Sequence, residues 1–115
     1  MEAPKELVEK VLEAIEIARN TGKLKKGANE VTKALEKGTA KIVAVASDVN
    51  PPEIVMHLPM LAKEKGIPLI HIKTKEELGA SAGLLVGTTA VAIVQEGDAK
   101  NIIKDITKQF EDIKK

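Results

Sequence analysis

Three polar side chains in the first third of the chain, Asn29, Glu30 and Lys33, combine hydrogen-bond donors and acceptors on one side of a predicted helix. Their spacing of three and four residues places them on a shared exposed face. Gly27, just before them, lets backbone N–H groups come close to a ligand, and a helix N-terminus favours anionic oxygens such as phosphates. A carboxylate repels phosphate, so Glu30 helps only if it meets a donor such as a base N–H. The pattern therefore predicts contacts to base edges as well as to a nucleic-acid backbone.

The charge of the chain is uneven although its net value is only +1. Residues 19–41 carry seven basic and two acidic side chains, whereas the first predicted helix is rich in glutamate. Most charge runs only keep a surface solvated, but a basic patch beside a helix N-terminus favours nucleic acid. One Phe and no Trp or Tyr leave almost no rings on which bases could stack. A nucleic-acid partner would therefore be a structured one, bound through hydrogen bonds, lysines and aliphatic contacts.

Length and composition indicate one globular domain over residues 1–115, with 43% apolar and 30% charged residues. The absence of cysteine excludes disulfides, thiolate metal sites and a cysteine nucleophile. The sequence has no apparent signal-peptide core and no apolar run of membrane length. We therefore expect a cytoplasmic protein without a membrane partner.

Helical and strand patterns alternate along the chain, which predicts an α/β fold: a single-domain, three-layer α/β/α sandwich around a small mixed sheet. Asn50 is predicted to cap a helix that runs to about Lys65 and bends at Pro59. Thr74 and Asp98 are predicted to cap two later helices. The other predicted elements are a first helix that ends before Gly22, a motif helix that ends at Gly38, and strands at 23–26, 42–46, 69–72 and 90–94.

Enzymatic chemistry has little support in the sequence. Residues 79–83 match the G-x-S-x-G pattern of serine hydrolases, but the triad needs a histidine after Ser81 in chain order, and none follows. His57 and His71 stand apart from any acidic cluster with ligand spacing, so each is expected to be a packed or partly exposed histidine. We therefore expect no catalytic residue, no metal and no cofactor. The alternatives are a small α/β enzyme and a protein-interaction scaffold that binds partners through its acidic first helix and an apolar loop.

Residues 25–38, together with the segments 47–59, 77–83 and 90–94, resemble the archaeal kink-turn-binding ribosomal protein family, the L-seven-Ae family. The resemblance covers essentially the whole chain. It implies a non-enzymatic RNA-binding protein of the large ribosomal subunit that recognises kink-turn RNA and stabilises its bent form. It also implies roles in box C/D and H/ACA guide particles and in RNase P, with ribosomal RNA, guide RNAs, RNase P RNA and ribonucleoprotein subunits as partners. We expect the protein itself to be a monomer.

The resemblance also implies roles for single residues. Sheared G·A pairs leave the imino proton and the major-groove acceptors of guanine open, so Glu30 would accept from the imino group while Asn29 and Lys33 donate to the acceptors. Two of the implied positions, Asn50 and Leu85, often hold an acid in the family. The remaining implied contacts are Lys25, Lys26 and the Gly27 backbone on phosphates, Asn50 at the mouth of the site, Ile54 and Lys75 beside the flipped-out nucleotide, and the apolar loop Leu84, Leu85 and Val86 over the bend.

Overall fold

The computed structural model describes residues 4–114, except for the side chains of Pro52 and of residues 112–114. None of the helices in this part of the chain is long and apolar enough to cross a membrane. Short 3₁₀ turns lie at Pro52–Ile54 and Gly97–Ala99. The longer elements of the described residues are α1 Lys5–Thr21, β1 Lys23–Lys26, α2 Ala28–Lys37, β2 Ile42–Ala46, α3 Leu58–Lys65, β3 Leu69–Ile72, α4 Lys75–Ser81, β4 Ala90–Gln95 and α5 Lys100–Lys114.

The four strands form one mixed sheet in the order β1-β4-β2-β3. Strands β2 and β3 are parallel, whereas β4 is antiparallel to both of its neighbours, β1 and β2. Consequently the carboxyl ends of β1, β2 and β3 and the amino end of β4 lie at the same end of the sheet. We call this end, with residues 27–30, 47–57, 73–75 and 84–89, the top edge.

Helices cover the sheet in two layers, as the sequence predicts. Helix α1 contacts α4 and α5, while α2 contacts α3 and strand β4. All five residues of β2 are buried, which is typical of a strand covered on both faces. Large apolar side chains from every helix meet the sheet in one core; they include Leu7, Ile15, Leu35, Leu58, Leu78 and Ile106.

Local chemistry explains where several helices begin and end. Gly38 follows α2 with a left-handed φ of 72°, and the next residue, Thr39, donates its N–H to the carbonyl of Ala34 at 3.0 Å. This is the glycine termination that the sequence predicts. At α4 the Thr74 hydroxyl accepts a hydrogen bond from the N–H of Glu77 at 3.2 Å, so this predicted cap is also confirmed.

The prediction of one helix from Asn50 to Lys65 is wrong. Asn50 lies in a bend, the chain then forms the 3₁₀ turn Pro52–Ile54, and α3 begins only at Leu58. Pro59 falls in the first turn of α3 and does not bend a longer helix. Proline is tolerated in the first turn because the N–H groups there have no partner within the helix. In the middle of a helix it would remove a hydrogen bond.

The predicted cap at Asp98 is wrong as well. Asp98 lies inside the 3₁₀ turn that leads into α5. Its backbone N–H donates to the Thr21 hydroxyl at 2.9 Å, so this turn is attached to the end of α1. The sequence could not indicate this arrangement, because the two residues are 77 positions apart.

Candidate nucleic-acid interface

Gly27 opens α2 in a backbone conformation that other residues rarely adopt, with φ 94° and ψ 152°. Its N–H donates to the carbonyl oxygen of Ala90 at 2.8 Å, so the entry to α2 is attached to the start of β4. A methyl group placed on Gly27 would meet no atom within 4 Å. The space beside Gly27 is therefore open, and a ligand can approach the backbone there.

The first turn of α2 keeps two backbone donors available. The N–H of Ala28 donates to the Thr89 hydroxyl at 3.1 Å, and the N–H of Val31 donates to the Gly27 carbonyl at 3.0 Å. Within the described residues the N–H groups of Asn29 and Glu30 contact no acceptor. These two groups lie at the positive end of the helix dipole, so they can bind anionic oxygens.

The predicted polar face of α2 is exposed. Asn29, Glu30 and Lys33 all reach solvent, while Val31 and Leu35 on the opposite side are buried. Lys33 Nζ lies 3.9 Å from Glu30 Oε1, with side chains that are 65% and 48% exposed. An exposed pair of this kind contributes about 1 kcal/mol or less. Either partner can therefore leave it for a stronger contact.

Two lysines precede this helix on β1, which is an edge strand of the sheet. Lys25 and Lys26 are exposed, and neither forms an ion pair with another described residue. Lysines on an edge strand also discourage pairing with strands of other proteins. Lys26 directly precedes Gly27, at the entry to α2.

A continuous series of hydrogen bonds joins the segments of the top edge. Asp48 Oδ1 accepts from the N–H of Lys75 at 2.8 Å, and the carbonyl of Lys75 accepts from the N–H of Thr88 at 3.1 Å. The next residue, Thr89, holds the N–H of Ala28, and its carbonyl accepts from Ala46 at 2.9 Å. The turn after β2, the start of α4, the segment before β4 and the start of α2 are thus fixed relative to one another.

The predicted apolar loop is only partly exposed. Leu85 is fully exposed at 105% and Val86 is 73% exposed, but Leu84 is half-buried and packs against the core. The loop backbone lies directly on α4, because a Cβ on Gly79 would stand 2.2 Å from the carbonyl oxygen of Val86. The N–H of Leu84 donates to the Gly79 carbonyl at 2.9 Å. Leu85 and Val86 therefore project into solvent from a loop whose backbone is held against α4.

The other predicted contact residues lie in the same region. Asn50, Ile54 and Lys75 are all exposed, and Ile54 is 42% exposed. Met56 adds a further exposed apolar side chain at the top edge, and Met60 is exposed on α3; the sequence did not single out either. A methionine near a helix is usually a core residue, so its type gave no indication of exposure.

Three residues that support this site were not found from the sequence. Thr89 holds the first N–H of α2, and Thr32 donates to the carbonyl of Ala28 at 2.7 Å. His57 is exposed, and its Nε2 lies 2.7 Å from the Thr32 hydroxyl. These contacts connect residues 61 and 25 positions apart, which no local pattern reveals.

The described side chains do not form an evident set of metal ligands. Among the side chains that the structure describes, no group of three His, Asp or Glu residues could hold a metal ion. The second histidine, His71, lies half-buried on β3, and burial lowers its pKa below the ordinary value.

Known proteins resemble this chain over most of its length. Residues 9–103 match the model of the "Ribosomal protein L7Ae/L30e/S12e/Gadd45 family". The large ribosomal subunit protein eL8 of Halobacterium salinarum is 54% identical over 112 residues, which cover 97% of this chain and 93% of that protein. The protein of the same name from Haloquadratum walsbyi is 52% identical over 113 residues, with 98% and 94% covered.

A solved structure agrees with the fold. The Giardia lamblia 15.5kD RNA binding protein superimposes with a TM-score of 0.90 at 32% sequence identity, over 96% of this chain and 92% of that chain. The two chains therefore share the same fold over most of their lengths. By sequence and by fold, this chain belongs to the ribosomal protein L7Ae/L30e/S12e/Gadd45 family.

Proposed function

We propose that this protein is a component of the large ribosomal subunit that binds ribosomal RNA and recognises kink-turns. One observation carries the proposal: the top edge combines the open backbone at Gly27, the two unoccupied N–H groups of α2 and the exposed side chains of Asn29, Glu30 and Lys33. The names of the similar proteins, a large-subunit ribosomal protein and an RNA binding protein, support it.

The exposed face of α2 contacts bases at the bend. Glu30 accepts a hydrogen bond from the imino group of a guanine in a sheared pair, and Asn29 and Lys33 donate to the major-groove acceptors of guanine. Phosphates on either side bind Lys25, Lys26 and the free N–H groups beside Gly27. Charge supports assigning base contacts and phosphate contacts to different residues, because the Glu30 carboxylate would repel phosphate and weaken a site that bound phosphate alone.

The remaining top-edge residues contact the extruded nucleotides. Ile54 and Lys75 border the flipped-out base, and Asn50 lies at the mouth of the site. Leu85 and Val86 cover the bend and lose their exposure to water when RNA binds, which contributes about 25 cal/mol per Å² of apolar area. Leu84 supports them from below, because it packs against the core.

The protein acts by selecting one conformation of its RNA. It binds the kinked form and not the extended form, so binding shifts the RNA population towards the bend. The same bend would allow a monomer of this protein to join box C/D and H/ACA guide particles and RNase P. These roles rest on the family resemblance, as does the assignment to ribosomes in the cytosol.

A gel-shift comparison of two RNAs tests the proposal. One duplex carries a kink-turn, and its control has the G·A pairs converted to Watson–Crick pairs. We expect the protein to bind the kink-turn duplex more tightly by at least tenfold. Equal binding of both duplexes would contradict kink-turn recognition and favour general RNA binding. A protein that is purified from cells without any RNA would instead favour the scaffold alternative.

A further inference from the structure

A pair of side-chain hydrogen bonds connects the beginning of α3 to the first turn of α2. Thr32 Oγ1 donates to the carbonyl oxygen of Ala28 at 2.7 Å, and the same hydroxyl lies 2.7 Å from Nε2 of His57. A hydroxyl has one proton and accepts through its lone pairs. Because this proton is used on Ala28, His57 must donate to Thr32. The neutral imidazole ring of His57 therefore carries its hydrogen on Nε2.

We infer that His57 is a positioning residue for RNA recognition, which acts through Thr32 on the first turn of α2. This inference rests on the proposed function. The peptide groups of Ala28 are held on both sides, its N–H by Thr89 and its carbonyl by Thr32. Asn29 follows directly, so its side chain and its free N–H start from a backbone whose position is fixed.

The contact partner of the His57 side chain supports this role. His57 occupies the N-cap position of α3, yet its side chain makes no capping hydrogen bond there. Ser, Thr, Asp or Asn at this position would accept a hydrogen bond from the first turn of the helix. Here the side chain contacts α2, and the residue lies three positions after Ile54. The contact thus joins α2, through Thr32, to the segment that is proposed to border the flipped-out nucleotide.

Matched variants of His57 test the inference. Gln places an amide donor at a similar reach, whereas Leu fills comparable space without a donor. We expect His57→Leu to weaken kink-turn binding about two- to tenfold, the scale of one net hydrogen bond, and His57→Gln to stay within about twofold of the unmodified protein. Thr32→Val and Thr32→Ser form a second pair with the same expected difference.

Two further measurements separate positioning from general stabilisation. In a double-mutant cycle, the loss caused by His57→Leu should shrink when Asn29→Ala is already present and should be unchanged beside Leu85→Asp. In the free protein at alkaline pH, nitrogen NMR should show the neutral His57 ring protonated at Nε2. A ring protonated at Nδ1, or an effect equally large beside both variants, overturns the inference.

The same titrations show which proposal fails. If the unmodified protein prefers the kink-turn duplex but His57→Leu binds it equally tightly, only the role of His57 is wrong. The role of His57 is also wrong if His57→Gln binds as weakly as His57→Leu. If the unmodified protein does not distinguish the two duplexes, the proposed function is wrong, and this inference is wrong with it.

Discussion

The start of α2 and the loop at residues 84–86 are both exposed at the top edge, yet they are built in opposite ways. The α2 region presents charge and free backbone donors; the Ala28 N–H donates to the distant Thr89 hydroxyl, and the nearby Thr32 hydroxyl donates to the Ala28 carbonyl. The loop presents Leu85 and Val86 on a backbone attached to α4. One surface supplies directional contacts that can distinguish bases, and the other supplies apolar area that cannot. Specificity and affinity should therefore respond differently to mutation in the two regions.

The largest effect is expected at Glu30. Glu30→Ala removes a negative charge next to RNA, yet binding to a kink-turn duplex should weaken by about 1 to 3 kcal/mol because a buried guanine donor loses its partner. The measurement is a binding titration with the kink-turn duplex and its Watson–Crick control. Glu36→Ala, also exposed on α2, is the matched control and should change little. Unchanged or tighter binding by Glu30→Ala would show that Glu30 only solvates its helix.

Leu85→Asp should lower the affinity for kink-turn RNA without changing which base is preferred at the guanine that Glu30 contacts. Burial of a leucine side chain contributes about 1.5 to 3 kcal/mol, and only part of it is covered by RNA, so a decrease of about tenfold is expected. The thermal midpoint should stay nearly constant, because Leu85 is fully exposed. Leu84→Asp, on the half-buried neighbour, should instead lower the midpoint. A collapse of the midpoint in Leu85→Asp would show that the loop belongs to the core.

The basic surface should contribute through salt dependence. If the lysines around α2 neutralise about four phosphates, log affinity should fall with log salt concentration at a slope of roughly −3 to −4. Lys25→Ala should reduce that slope by about 1 on both duplexes, because phosphate contacts carry no base specificity. Lys104→Ala on α5, in the other helical layer, is the control. An affinity that does not change with salt concentration would show that this surface is not part of the RNA interface.

The smallest effect concerns stability alone, through His71 on β3. Burial lowers its pKa in the folded protein below the ordinary value of about 6.5, so the unfolded chain binds more protons. The contribution of His71 to the free energy of unfolding is therefore fully present above about pH 6.5, the pKa in the unfolded chain. It is lost as the pH falls through the lower pKa of the folded protein. Denaturant unfolding between about pH 5 and pH 8 should show a smaller decrease for His71→Gln. An identical decrease in both proteins would contradict this assignment.

Local patterns were sufficient for most of the fold and for the polar face of α2. Short, largely apolar runs marked β2, β3 and β4, and Gly38 and Thr74 marked helix boundaries, because each of these depends on neighbours within a few positions. Membership in a family of ribosomal proteins confirms the prediction that the chain is not an enzyme.

The sequence was insufficient at Asn50, at Thr89 and in the loop at residues 84–86. Asparagine is a preferred helix-capping residue, but prolines and a 3₁₀ turn follow Asn50, and α3 begins only at Leu58. The role of Thr89 depends on β4 lying between β1 and β2, which the sequence does not specify. The division between Leu84 and Leu85 depends on which way a short loop turns over Gly79. The last two cases require knowledge of the assembled fold.

The hydrogen bond from Ala28 to Thr89 also has a consequence for biosynthesis. It spans 61 positions, and β1 pairs with β4 over a similar separation. A nascent chain therefore exposes α2 long before the strand that fixes its first turn has left the translating ribosome. Capture of RNA should thus follow completion of the polypeptide, and a truncation before Thr89 should leave the basic segment able to attract RNA but unable to discriminate among RNAs.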